Sequence, residues 1–213
     1  MSQTKVMHIV SGLHVGGAEM MLYRLLSRSA IECAKGTVVV SLSLHGELAT
    51  QIRQLGVKVV ELERGSLFVT LKKLNALVAQ YQPDILQSWL YRADLIAALV
   101  GWRKQVPVVW NVRQTEVGRV SSQTHIWAVQ RMNALLSHLL PKKIVYCAHA
   151  AKESHHSIGY DSKKSEVIGN GIDIEKFVFH EDVRRSQRQE WGIYNNDISV
   201  SYTHLTLPTT PYV

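Results

Sequence analysis

The chain has 213 residues, 46% of them hydrophobic and 19% charged, an ordinary balance for a globular protein long enough to bury a real core. No run of about 18 apolar residues occurs, and no signal peptide is read near the start, so neither a membrane span nor export is expected. The formal net charge of +7 favours anionic partners: nucleic acid, phosphorylated small molecules or an acidic membrane surface.

Periods of two and 3.6 alternate along the chain. "KVMHIV" (5–10) reads as a short buried strand, and from Ala18 the residues Met21, Leu22, Leu25 and Leu26 make one helix face. "TVVVSLS" is a second strand, "ELATQIRQLG" a short helix stopped by Gly56, and "VKVVEL" a third strand. Leu67, Leu71, Leu74, Val78 and Tyr81 form a helical stripe ended by Pro83, before the strand "DILQSW". "RADLIAALVGW" is a helix apolar on most sides, so well buried, and "VPVVWNV" is strand five. Ala128, Val129, Met132, Leu135, Leu136 and Leu139 give one face of a long helix from about residue 122, closed by Pro141. "KKIVYCA", a helix ending at Gly159 and the short strand and turn "SEVIGNG" follow.

Cys33 and Cys147 lie far apart in apolar surroundings and read as buried free thiols. Neither cysteines nor histidines have metal-ligand spacing, so no metal is expected. His155 and His156, adjacent on a helix, cannot face one way and read as surface residues.

Strands alternating with helices imply an α/β fold, a Rossmann-like parallel sheet with helices on both faces. Such sheets bind ligands at the carboxyl ends of their strands. The informative loops are therefore residues 11–17, 43–46, 88–94, 111–121, 147–150 and 169–173.

Loop one, "SGLHVGG", has glycines that permit positive φ and close backbone approach. The helix starting near Gly17 offers free amides and a positive dipole end, which Glu19 suits. A bound phosphate or sugar hydroxyl is one reading; a plain glycine turn is the other. G-x-G-x-x-G is absent and no acidic residue closes strand two near Ser43-Leu44, which disfavours a dinucleotide-dependent oxidoreductase. No Lys-Ser or Lys-Thr follows, as a P-loop would need.

The fourth loop gathers Trp89, Tyr91, Arg92 and Asp94, an aromatic face with hydroxyl partners of the kind a sugar ring needs. The alternative is that Asp94 pairs with Arg92 or caps the helix, with the aromatics in the core. The fifth loop holds Asn111, Arg113, Gln114 and Glu116; the Arg113 fork matches phosphate or carboxylate, or is simply solvated. In the last loop Asn170-Gly171 is a turn signal, Asp173 can cap a one-turn helix and Phe177 can dock it.

Taken in order, "GGAE" (16–19), "YRADL" (91–95), "PVVWNVRQ" (107–114) and "NGIDIEKF" (170–177) resemble the amino-terminal half of a family-4 retaining glycosyltransferase, over residues 5 to 195. The resemblance implies two Rossmann-like halves facing a cleft, the GT-B fold, with the second half missing from this chain. It implies an enzyme that moves a sugar from a nucleotide-sugar donor to a saccharide or lipid-linked acceptor, in polysaccharide or glycoconjugate biosynthesis. No cofactor is implied. Gly16 and Gly17 would lie near the donor diphosphate. Acceptor or cleft roles fall on His14 and Glu19 in loop one, Tyr91, Arg92 and Asp94 in the fourth loop, Arg113 and Gln114 in the fifth, and Asn170 in the last. Arg92 stands where many relatives have His, so a His-based role there does not carry over. The family's donor-site arginine, lysine and paired glutamates would fall beyond residue 200, so the chain alone is expected to be inactive, or a stand-alone binding module for a phosphorylated or lipid-linked ligand.

Residues 1–198 are expected to form this domain. The stretch 199–213 has no charged side chain and carries Pro208 and Pro211; it reads as non-native sequence or a disordered tail, with no role for Tyr202, His204 or Tyr212. A cytoplasmic location, open to the inner face of the membrane, is expected. The long helix has apolar and basic neighbours (Trp127, Arg131, Lys142, Lys143), which fit a peripheral membrane contact or an ordinary core-facing helix. Nucleic acid is not an expected partner, because the basic residues are scattered without an interleaved aromatic stripe.

Overall fold

The computed structural model describes residues 4–28, 36–115, 117, 124–175, 177–194 and 196–200. Cys33, Glu116, the expected helix start near 122 and the tail from 201 onward lie outside the described residues. The chain forms two compact units, Met1–Gly171 and Ile172–Val213.

The first unit is built on a seven-stranded sheet. Its strands are β1 (Val6–Val10), β2 (Thr37–Ser41), β3 (Lys58–Glu61), β4 (Ile85–Trp89), β5 (Val108–Val112), β6 (Lys143–Tyr146) and β7 (Ser165–Val167). They lie in the order β3-β2-β1-β4-β5-β6-β7, every pair parallel. Between them run α1 (Gly17–Arg28), α2 (Glu47–Gln54), α3 (Leu67–Tyr81), α4 (Tyr91–Lys104), α5 (Thr124–Ser137) and α6 (His149–Ser157). This is the Rossmann-like arrangement that the alternating periods predict.

Alternation along the strands divides the core in two. Met7, Ile9, Val38, Val40 and Leu86 point to the face that carries Leu74 of α3, Ile96 of α4 and Ala134 of α5. Val10, Val39 and Trp89 point to the other, against Leu22 of α1 and Leu48 and Ile52 of α2. The ends are set locally. Gly56, at φ 80°, stops α2 as expected. Ser66 caps α3, its Oγ accepting from Val69 N at 3.4 Å, and Gln82 turns left-handed before Pro83.

Several expectations are corrected. The core stripe of α5 is not the apolar one. Met132, Leu135 and, just past the helix, Leu139 are 50%, 75% and 77% exposed, and Ala128 is exposed too. The buried side holds Gln130, Asn133, Ala134 and Ser137, with Val129 and Leu136 half-buried. The polar members have partners distant in sequence: Asn133 Nδ2 donates to Tyr91 O at 2.9 Å, and Ser137 Oγ accepts from Asp161 N at 2.9 Å. His155 is buried rather than on the surface, while His156 is half-buried and bonded to Ser165. Cys147 is a free thiol but only half-buried.

In the second unit α7 (Glu181–Glu190) buries no residue, so it carries no apolar period that could reveal it. The Asp173 carbonyl accepts from Phe177 N at 3.1 Å in a turn, and Phe177 is exposed rather than docked.

Candidate functional site

The strand order reverses between β1 and β4. From β1 the chain moves toward β2 and β3, and from β4 toward β5, β6 and β7. The connections leaving β1 and β4 therefore diverge and leave a crevice at their carboxyl ends. A cavity of about 660 Å³ lies there, within the size range of small-molecule sites.

Each strand end supplies a part. Ser11 and Gly12 follow β1, Ser43 follows β2 and Arg64 follows β3. Leu90, Tyr91 and Arg92 follow β4, and Gln114 follows β5. Ile126 and Val129 of α5 make an apolar wall. The β4–α4 connection is one residue long. Leu90 sits at φ 73°, ψ 155°, a region nearly reserved for glycine that costs a larger side chain about 1–3 kcal/mol. Its amide donates to Asn111 O at 3.3 Å and its carbonyl accepts from Asp94 N at 2.9 Å. This strained joint brings the start of α4 straight to the cavity.

Loop one is propped from below. Leu48 N donates to Leu13 O at 3.0 Å, and a Cβ on Gly46 would come within 2.7 Å of that carbonyl oxygen. Gly46, unremarked in the sequence, is thus required by close packing. Gly16 and Gly17 do not have the positive φ that loop one's glycines permit. A Cβ on Gly17 would meet nothing within 4 Å, and the amides of the first turn of α1 have no partner within the helix.

Of the sequence-predicted residues, His14, Glu19, Tyr91, Arg92 and Gln114 line the cavity. His14 Nδ1 also lies 3.1 Å from Glu47 Oε2. Gly16 and Gly17 lie between His14 and Glu19 in sequence but are not among the lining residues. Asp94, Arg113 and Asn170 are placed differently.

Asp94 is fully buried and outside the cavity lining, with no ion pair to Arg92 and no side-chain cap on α4. Ser88 Oγ donates to its Oδ1 at 2.6 Å, and burial pushes its carboxyl well above the usual range, against that hydrogen bond. Arg113 and Asn170 meet each other. Arg113 Nη1 donates to Asn170 Oδ1 at 2.8 Å and to Ile168 O at 3.4 Å, and Nη2 to Asn111 Oδ1 at 3.1 Å. Its guanidinium lies over the Trp89 ring at 5.3 Å. Trp89 is buried under it, with no face left for a sugar, and donates from Nε1 to His8 Nδ1 at 3.3 Å. Burial pulls the His8 imidazole down to about 4, so it accepts as the neutral ring.

Sequence reasoning missed Arg64, because the loop after β3 was not among those singled out. It also missed the support beneath Tyr91. His155 Nδ1 lies 2.6 Å from Ala151 O, which can only accept, so Nε2 is the acceptor for the Tyr91 hydroxyl at 2.8 Å. Burial pushes the Tyr91 phenol up to about 12, so it remains a donor. The Tyr91 hydroxyl is thus turned to His155. No single motif joins residues 64 positions apart; only the fold does.

A parallel sheet with a cavity at its switch point defines a Rossmann-like ligand-binding unit. The family model for Glycosyltransferase Family 4 matches residues 15–176, and the chain belongs to that family. Solved structures agree on the fold. The Anabaena HepE structure with UDP is 18% identical at a TM-score of 0.74, covering 89% of this chain and 50% of that one. A glycosyltransferase from Rickettsia africae ESF-5 is 13% identical at 0.63, covering 92% and 51%. The UDP-GlcNAc 2-epimerase of Neisseria meningitidis bound to UDP-GlcNAc is 15% identical at 0.58, covering 91% and 55%. The chain spans about half the length of each. None of the curated proteins compared matches it.

Proposed function

We propose that the chain is the acceptor-side half of a retaining glycosyltransferase, which takes a sugar from a nucleotide-sugar donor and passes it to a saccharide or lipid-linked acceptor in polysaccharide or glycoconjugate biosynthesis. The observation that carries this reading is the cavity at the β1/β4 switch point of a family-4 chain. HepE, similar in fold, has been solved with UDP-glucose, which makes a uridine donor the first to try. In this reading the open amides at the start of α1, from Gly17 onward, face the donor's leaving diphosphate and stabilise its developing charge. Glu19, Arg92 and Gln114 hold the acceptor in the cavity. In this reading a second half holds the larger part of the donor site, and residues 1–213, which span about half the length of HepE, bind acceptor without transferring sugar by themselves. Residues 1–198 are the domain proper, and 199–213 carry no function.

A peripheral membrane contact is favoured by one observation: Met132, Leu135 and Leu139 are exposed on or beside α5, with Arg131 and Lys142 near in sequence and exposed. Vesicle sedimentation with anionic and with neutral lipid tests it; equal partitioning into neither rejects it. For the main reading, the chain is incubated with UDP-glucose and a panel of saccharides. Saccharide binding without UDP release is expected. Release of UDP contradicts the inactivity, and no saccharide binding contradicts the acceptor role.

A further inference from the structure

Several arginines of the first unit are held by protein acceptors. Arg24, Arg53, Arg113 and Arg131 each donate to protein acceptors: Gly171 O, Glu61 Oε2, Asn170 Oδ1 and Ile158 O respectively. Arg64 and Arg92 have no hydrogen bond or ion pair among the described residues, yet both line the same cavity. Arg92 is half-buried there and Arg64 is exposed, and an anionic ligand in the cavity would give both forks an acceptor.

Three further features give the cavity a positive, donor-rich character. Ser11 Oγ is shielded from solvent, has no hydrogen-bond partner and belongs to a cavity-lining residue. The 14-residue helix α4 begins at the cavity, and the amides of its first turn have no partner within the helix. The acid in that turn, Asp94, is fully buried against Ser88 and is not among the residues that line the cavity. Among the described residues, Glu19 is the one carboxylate lining the cavity, against two arginines.

We propose that Arg64 and Arg92, with the Ser11 hydroxyl and the first-turn amides of α4, form a subsite for a phosphate group on the acceptor. This rests on the acceptor-side reading above and narrows it, from any saccharide to one that carries or is carried on phosphate. A carboxylate has about four acceptor positions; two arginine forks fill them and leave the hydroxyl and amides unused. A phosphate, with its additional oxygen, uses more of the donors present.

The test is calorimetric titration of the full chain with glucose 1-phosphate, farnesyl phosphate, glucose and UDP, at fixed low salt. Arg64→Gln, Arg92→Gln and the control Arg103→Gln, outside the cavity, are titrated in parallel, each checked for folding by thermal melting. At least one of the two phosphates binds about tenfold more tightly than glucose, and each cavity variant loses about tenfold, from one charged hydrogen bond removed. The tighter of the two phosphates tells a soluble sugar phosphate from a lipid-linked one. Arg103→Gln is unchanged. Glucose binding as well as its phosphate, or cavity variants binding like the parent, overturns the phosphate subsite and leaves the acceptor reading standing. UDP alone binding, with loss in both variants, overturns the subsite and moves the cavity to the donor. No binding of any probe overturns both.

Discussion

Two strand-end regions of the sheet, both rich in arginine and aromatic side chains, have opposite characters. At the ends of β4, β5 and β7 the groups are closed on one another: Arg113 lies over Trp89, and its fork is taken by Asn111, Asn170 and Ile168. At the ends of β1, β3 and β4 they surround space, and Arg64 and Arg92 have no acceptor among the described residues. Residue type does not tell these apart. What does is whether neighbouring elements bring acceptors within reach, a property of the folded chain. The closed region is a brace and the open one a site.

The largest expected effect lies under the brace and is driven by pH. His8, Trp89 and Arg113 form a column, and His8 is neutral with its pKa pulled down to about 4 from 6.5. The unfolded chain therefore takes up the proton first. His8's contribution is complete above pH 6.5 and is lost as pH falls through 4, amounting to about 3 kcal/mol. Asp94 has the opposite sign: its raised pKa makes stability fall as pH rises above the ordinary carboxylate value. Urea denaturation of His8→Asn between pH 6.5 and 4 is expected to give a flatter acid limb than the parent. An unchanged limb means the column is not what acid disrupts.

Next comes the prop beneath the open site. Gly46→Ala drives a methyl group against the Leu13 backbone and is expected to cost about 2 kcal/mol in urea denaturation. Phosphate binding weakens with it, because loop one moves. Stability falling with no change in binding would separate the loop from the site.

A smaller pair of effects separates the two regions directly. Arg113→Ala is expected to lose about 1.5 kcal/mol of stability through its stack and hydrogen bonds while leaving ligand affinity near the parent's. Arg92→Gln is expected to do the reverse, moving stability by about 0.5 kcal/mol or less. If Arg113→Ala costs binding and not stability, the assignment of brace and site is inverted.

The sheet was legible because both of its periods are strong: "TVVVSLS" and "VPVVWNV" read as strands, and the mostly apolar "RADLIAALVGW" is the buried α4. Loop one and the cluster at 91–92 were legible because strand-end loops carry sites in such sheets. The failures share one cause. The buried face of α5 uses Gln130, Asn133 and Ser137, residues that look solvent-facing until Tyr91 and Asp161 arrive as partners. His155 is buried for the same reason, by a tyrosine far away in sequence. Arg113, the best anion-binding candidate by residue type, has its acceptors supplied by the fold. Arg64 carries no local signal at all; only its arrival at the cavity marks it.

Ligand entry at the β1/β4 switch point is tested by amide chemical-shift mapping of the full chain during titration with glucose 1-phosphate. Saturable shifts are expected at Ser11, Gly12 and Gly17 after β1 and at Tyr91 and Arg92 after β4, with Arg113 and Asn170 nearly unmoved. Shifts confined to the exposed face of α5, or centred on Arg113, would contradict it.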